Sequence, residues 1–301
     1  MTRAATSLGF GLYAPSGFAT EPAAVARAAE RLAAMGHRVV VDERATARFQ
    51  RFAGTDDERL AAIARIAARD DVDVALAVRG GYGWTRLVPR IDFAAIAAAG
   101  KRWLGHSDFT AFQLAALARA GMTTYAGPMA AYDFGAVEPS AYTLGHCFAV
   151  LDSPRHAFDA ALDGPDIEAS GTLWGGNLAL VASLVGTPFF PAVDGGILFL
   201  EDVAEHPYRI ERMLWQLHLA GVLARQRAVL LGAFTEYAPS PNDGGYDFAA
   251  MVATMRAVVG VPLYTGLPFG HVRDKVTLPV GGRALLRVRD GAALVALSDY
   301  R

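Results

Sequence analysis

DERLAAIARIAARDDVDVALAVRGGYG, residues 57–83, is the stretch whose reading decides the fold. Its first part, 57–70, carries the spacing of an amphipathic helix. Its second part, VDVALAV (72–78), is a short apolar run of strand length, and the glycines after it end the strand. The same alternation extends on both sides. Upstream, VARAAERLAAMG (25–36) reads as a helix stopped by Gly36, followed by the strand HRVVVD. Downstream, RWLGH (102–106) reads as a short strand and FTAFQLAALARAG (109–121) as a helix. Strands and helices in this order predict an α/β fold with a parallel sheet covered by helices on both faces. Ligands of such sheets gather at the carboxyl ends of the strands.

Toward the N-terminus, Arg3 precedes the mildly apolar stretch Leu8 to Ala14, which imitates a signal peptide. Thr6, Ser7, Gly9 and Gly11 dilute it, and a first strand running into the turn Pro15-Ser16-Gly17 is the better reading. Toward the C-terminus, LDSPRHAFDAALDGPD (151–166) mixes Pro, Asp and Gly with little periodicity. A boundary is expected there: an N-terminal domain over 1–152, a linker over 153–159, and a smaller, β-rich α+β domain over 160–301. In that second part ILFLED (197–202) reads as a buried strand. RIERMLWQLHLAG (209–221) reads as a helix with Ile210, Met213, Leu214 and Leu217 on one face. ALLRVRDGAALVAL (284–297) reads as a hairpin turning at Asp290-Gly291. Antiparallel strands are expected to dominate here.

The composition sets bounds. The 301 residues are 53% hydrophobic, ample for a large core, and the formal net charge of −2 with no long basic run gives no support for nucleic-acid binding. No run of about 18 apolar residues suggests a membrane span. The single cysteine, Cys147, excludes an intrachain disulfide, fits a reducing compartment and reads as a small buried apolar residue. His106, His146, His156, His206 and His218 are scattered and no HExxH occurs, so no metal site is expected.

Four constellations could carry chemistry. In LGHSDFT (104–110) a strand ends and a helix begins, with Ser107 at the corner. That geometry exposes a hydroxyl beside the free N–H groups of the helix start. It resembles a nucleophile elbow, although Asp108-Phe109 follows where x-Gly is usual, and a helix cap by Ser107 or Asp108 is the competing reading. In VRGGYG (78–83) consecutive glycines at a strand end let backbone N–H groups approach a substrate oxygen, or they make a plain tight turn. Glu201, ending LFLEDV, either orients another group or caps the next helix. His271, in LPFGHVRDKVTLPVG (267–281), either reaches across a cleft or sits on the surface. The chain order Ser107, Glu201, His271 is that of the α/β-hydrolases. A serine needs a base to take its proton, and the imidazole needs an acceptor to hold its other nitrogen.

Taken together, APSG (14–17), RGGYG (79–83), GHSDFT (105–110), GGNL (175–178), LFLEDVAEHPYRIERML (198–214) and GHVRDKVTLPVG (270–281) resemble the LD-carboxypeptidase family, in the family's order and from end to end of the chain. The resemblance implies a catalytic triad in a cleft between two domains, with Ser107 on an N-terminal Rossmann-like sheet and Glu201 and His271 on the smaller C-terminal domain. It implies oxyanion donors at the backbone N–H groups of Asp108 and of Gly80 or Gly81, and no cofactor. It implies a cytoplasmic enzyme, commonly a homodimer, that removes the terminal D-alanine from muramyl tetrapeptides during cell-wall recycling, with no nucleic-acid or membrane partner. Microcin-immunity peptidases, which cleave an aminoacyl-nucleotide toxin, share these motifs and form the alternative; short spacers between the motifs favour the muropeptide. An ester hydrolase fits less well for want of the elbow glycine. A non-enzymatic peptide-binding module would not need the three residues. Arg79 and Arg273 are candidates for the substrate's terminal carboxylate by charge alone, against the preferred reading of surface or structural ion pairs.

Overall fold

The computed structural model describes residues 7–300. Five short strands open the chain: β1 (Gly9–Tyr13), β2 (Arg38–Val41), β3 (Val74–Ala77), β4 (Arg102–Gly105) and β5 (Thr124–Ala126). All pair in parallel, in the order β2-β1-β3-β4-β5. Between them run α1 (Pro22–Ala34), α2 (Asp56–Ala67), α3 (Trp84–Leu87), α4 (Phe93–Ala98) and α5 (Thr110–Ala120). Thr55 starts α2 by accepting from the N–H of Glu58, whose side chain returns the bond to the Thr55 N–H. Gly36 and Gly121, both with positive φ, follow α1 and α5 as expected of helix stops. Strands β3 and β1 are fully buried, and Phe10, Leu12, Leu76, Trp84, Trp103 and Phe112 form the centre of this half's core. The strand order reverses between β1 and β3, so the APSG and RGGYG loops leave the sheet side by side at its switch point.

Helix α6 (Ala141–Asp152) leads into a second sheet. Its strands are β6 (His156–Ala161), β7 (Ile167–Asn177), β8 (Ile197–Val203), β9 (Ala228–Thr235) and β10 (Leu263–Thr265), then, after β11 (Leu278–Val280), β12 (Arg283–Arg289) and β13 (Ala292–Ser298). The order is β10-β9-β8-β7-β12-β13-β6. Strands β7 to β10 are parallel and linked by α7 (Leu178–Leu184), α8 (Pro207–Leu219) and α9 (Phe248–Val258), whereas β12, β13 and β6 are antiparallel. The second half is therefore evenly mixed rather than mainly antiparallel. The helices after β7, β8 and β9 supply the crossovers that parallel pairing requires. The hairpin turns at Asp290-Gly291, both with positive φ, as a two-residue turn of this kind needs.

Two boundaries depart from expectation. His156–Ala161 is a strand hydrogen-bonded to β13, so residues 156–159 are sheet and not linker. Strand β11 leaves the second half and pairs antiparallel with β5, extending the first sheet to six strands. We place the division between the two units at 153–155. The return of β11 then ties them together on the far side of the segment that carries His271. Residues 1–6, including Arg3, lie outside the described residues; Leu8 to Ala14 runs through β1 as expected. Cys147 is buried and burial pushes its thiol pKa up. Among the described residues no helix is long and apolar enough to cross a membrane.

Candidate active site

Ser107 follows β4 at a sharp corner: its φ is +66°, a conformation that side chains with a Cβ rarely adopt. One turn of 3-10 helix over Ser107–Phe109 then opens into α5. Neither Ser107 nor Asp108 caps that helix. The Asp108 carboxylate turns away, accepting from the Ser16 hydroxyl and, at 3.0 Å, from the Trp84 N–H. It thereby joins the corner to the APSG loop and to the residue after RGGYG. Burial raises its pKa, opposed by the bonds from Ser16 and Trp84. Sequence reasoning missed this role.

The second sheet brings the partners. Glu201 lies in the buried run Ile197–Asp202 of β8 and is fully buried; α8 starts at His206 without a side-chain cap, so Glu201 is free of capping duty. His271 lies in the cleft with its side chain 21% exposed. Its Nδ1 stands 2.7 Å from Glu201 Oε2 and its Nε2 3.0 Å from Ser107 Oγ. A carboxylate only accepts, so Nδ1 carries the proton and Nε2 is left to accept from the serine hydroxyl. Burial lowers the His271 pKa, but the hydrogen bond and charge of Glu201, with Asp202 behind it, outweigh that and raise it above the ordinary value. The sequence-predicted trio is thus brought into one hydrogen-bonded line.

The neighbouring motifs support this line. Asn177, at the end of β7, donates its backbone N–H to the Thr110 hydroxyl, and its side chain donates to Asp202 at 2.8 Å. Asp202 also accepts from the Ala179 N–H, and burial lifts its pKa to about 6. GGNL therefore fixes the strand end that carries Glu201 and docks it on the start of α5. Gly80 sits against the serine: a Cβ there would lie 2.7 Å from Ser107 Cβ and 2.8 Å from its Oγ, so only glycine fits. Among the described residues the N–H groups of Gly80 and Gly81 have no acceptor, and that of Asp108 lies in the first turn of a helix, where intrahelical acceptors are lacking. His106 is buried, donates from Nδ1 to the Gly127 carbonyl at 2.8 Å, and is held neutral by burial and by nearby Lys275 and His271.

Ser107 and His271 open into a cavity of about 660 Å³. Its walls carry Arg79, Arg273 and Lys275 as cations and Asp133, Glu138 and Glu236 as carboxylates. Lys275 is buried and paired with Asp133. Arg79 and Arg273 have no acidic partner among the described residues, which overturns the reading of both as ion-paired. No group of three or more His, Cys, Asp or Glu that could hold a metal occurs among the described residues.

A serine at a strained strand-to-helix corner, facing an imidazole backed by a buried carboxylate across a cleft between two sheets, defines a serine-type hydrolase. Residues 10–127 match the LD-carboxypeptidase N-terminal domain and residues 170–286 the LD-carboxypeptidase C-terminal domain. The chain belongs to the LD-carboxypeptidase family and is a serine carboxypeptidase. It is 34% identical over 252 residues to the murein tetrapeptide carboxypeptidase of Pseudomonas aeruginosa, covering 80% of each chain. It is 31% identical over 248 residues to a probable murein peptide carboxypeptidase of Bacillus subtilis, covering 81% of this chain and 77% of that one. The crystal structure of a muramoyltetrapeptide carboxypeptidase from Oxalobacter formigenes superimposes with a TM-score of 0.92 at 44% identity, covering 97% of this chain and 100% of that one. A microcin C7 self immunity protein shares the fold, with a TM-score of 0.89 at 22% identity over 98% of this chain and 97% of that one.

Proposed function

We propose that the chain removes the terminal D-alanine from muramyl tetrapeptides, with Ser107 as nucleophile, His271 as base and Glu201 as the group that orients it. The observation that carries the reading is the unbroken line from Ser107 Oγ through His271 to Glu201. In the first step Ser107 Oγ attacks the carbonyl carbon of the penultimate residue while His271 Nε2 takes the hydroxyl proton. The carbonyl oxygen becomes an oxyanion, and the N–H groups of Asp108 and of Gly80 or Gly81 are the donors we assign to it. The intermediate collapses as His271 gives its proton to the leaving amine, freeing D-alanine and leaving an acyl ester on Ser107. Water, deprotonated by His271, then attacks that ester and restores the serine.

Similarity to carboxypeptidases named for murein tetrapeptide supports the substrate. The microcin-immunity alternative has in its favour only a likeness of fold. Cytoplasmic recycling of wall peptides and a homodimeric state belong to the same proposal, and fractionation and light scattering test them. Incubation with a muramyl tetrapeptide should release free D-alanine and the muramyl tripeptide in equal amounts, detected by mass spectrometry, with nothing shorter than the tripeptide. Cleavage of an aminoacyl-nucleotide and not of the tetrapeptide would replace this reading with the toxin one.

The acid side of the pH profile follows from His271. The base must be neutral to accept the serine proton, and its pKa is raised. Activity should therefore fall as pH drops, with the midpoint of kcat/KM above the ordinary histidine value of 6.5. A midpoint at or below that value would contradict the Glu201–His271 coupling.

A further inference from the structure

A carboxypeptidase has to tell a free terminal carboxylate from an amide. Three bonds separate the scissile carbonyl carbon from the carboxylate carbon of the leaving residue, a span of about 4 Å. The recognising cation must therefore stand beside the serine. Three cations line the cavity. The Lys275 ammonium is buried against Asp133 and already neutralised. Arg273 is exposed, and among the described residues its guanidinium is anchored by nothing.

Arg79 differs from both. It precedes Gly80, the residue in contact with Ser107. Its Nη1 donates to the Phe18 carbonyl at 3.0 Å, and its guanidinium lies 5.5 Å from the centre of the Tyr132 ring. The head is held in place before any ligand arrives. Among the described residues one of its five N–H donors is satisfied, and the buried Nε has no acceptor. A buried donor of this kind calls for a partner. The edge formed by Nε and Nη2 is bordered by glycines: a Cβ on Gly17 would stand 3.3 Å from Nε, and one on Gly81 3.5 Å from Nη2. With glycine at both positions only backbone borders this edge. That edge presents two parallel N–H groups, the arrangement that takes a carboxylate with both oxygens. Two more arginines, Arg48 over the Phe18 ring and Arg51 over the Tyr82 ring, likewise have no acidic partner among the described residues.

We propose that Arg79 binds the free carboxylate of the substrate's C-terminal residue through its Nε–Nη2 edge and so makes the enzyme an exopeptidase. The assignment rests on the carboxypeptidase reading above. Its test compares kcat/KM for a muramyl tetrapeptide and for the same peptide with a C-terminal carboxamide, in the unaltered chain, in Arg79→Met and in Arg79→Lys. The unaltered chain should prefer the acid by about 10²-fold or more, because the amide leaves the donor pair without an anion. Arg79→Met should lower kcat/KM for the acid by about 10²-fold, chiefly through KM, and change the amide by less than about threefold. The preference then collapses. Arg79→Lys, a point charge without the fork, should fall between, and it serves as the test should the methionine variant not fold. A structural role for Arg79 would lower both substrates alike and keep their ratio, which overturns the assignment. Collapse of the ratio in Arg273→Met, with Arg79→Met unaffected, overturns it in favour of Arg273. Failure of the unaltered chain to cleave either peptide defeats the muropeptide reading and the assignment together.

Discussion

Ser107→Ala should lower kcat on the best substrate by about 10⁴ to 10⁶ while the protein keeps its fold. The alanine removes the only atom that His271 Nε2 touches in the serine, and leaves the Cβ, its contact with Gly80 and the Asp108 anchor in place. The residual rate would come from the remaining N–H donors and from binding. A second variant separates chemistry from fold. Ser107 has φ at +66°, where a Cβ is strained and glycine is not. Ser107→Gly should therefore be as inactive as Ser107→Ala yet melt no lower, because relief of that strain offsets the greater freedom of glycine in the unfolded chain. Near-normal turnover in either variant would remove Ser107 from the reaction. A normal kcat with a collapsed melting curve would instead make it a structural corner.

The parallel half of the fold was legible because its signals are local. Apolar runs of strand length alternate with capped, periodic helices from β1 to α5, and no tertiary fact is needed to see them. The second sheet was harder. Strand β6 alternates weakly, with His156, Phe158 and Ala160 against Ala157, Asp159 and Ala161, and it is held by pairing with β13 far along the chain. Strand β11 has three residues and a proline, and nothing in LPV announces that it will cross back to β5. The site shows the same division. Ser107, Glu201 and His271 each lay at a strand end or loop where a cap or a surface role fitted equally well. What decides between those readings is the meeting of side chains 70 and 164 positions apart, which no local pattern encodes. The motifs located the three residues, and the resemblance joined them. The anchoring role of the Asp108 carboxylate was missed because its partners, Ser16 and Trp84, belong to loops that only the strand order brings together. The lack of an acidic partner for Arg79 among the described residues is likewise a tertiary fact, which no local pattern shows.

Glu201→Gln should lower kcat by about 10² to 10⁴ and leave KM nearly unchanged. The aspartate-to-asparagine change in the serine-protease template costs about 10⁴ in kcat by favouring the wrong tautomer. Two orientations of the new amide are open here, and neither is good. With its nitrogen toward His271, a donor faces the Nδ1 proton, and the imidazole must turn or move its proton to Nε2, where it can no longer accept from Ser107. With its oxygen toward His271 the tautomer survives, but the NH₂ group then occupies the place of Glu201 Oε1, which is buried and has no partner among the described residues. An unsatisfied buried donor costs about 1–3 kcal/mol. The first orientation gives the upper end of the range and the second the lower. In both the negative charge is gone, so the His271 pKa loses the two contributions from Glu201 that raise it, and burial, which lowers it, gains weight. The acid limb of kcat/KM should therefore move to lower pH even as its plateau drops. A loss of fold integrity alone would not shift that limb. The double variant Ser107→Ala/Glu201→Gln should be scarcely slower than Ser107→Ala, because groups that act as a unit lose their effect together. If Glu201→Gln keeps kcat within about threefold of the unaltered enzyme and leaves the acid limb where it was, the carboxylate does not orient the base, and the short contact to His271 Nδ1 serves packing alone.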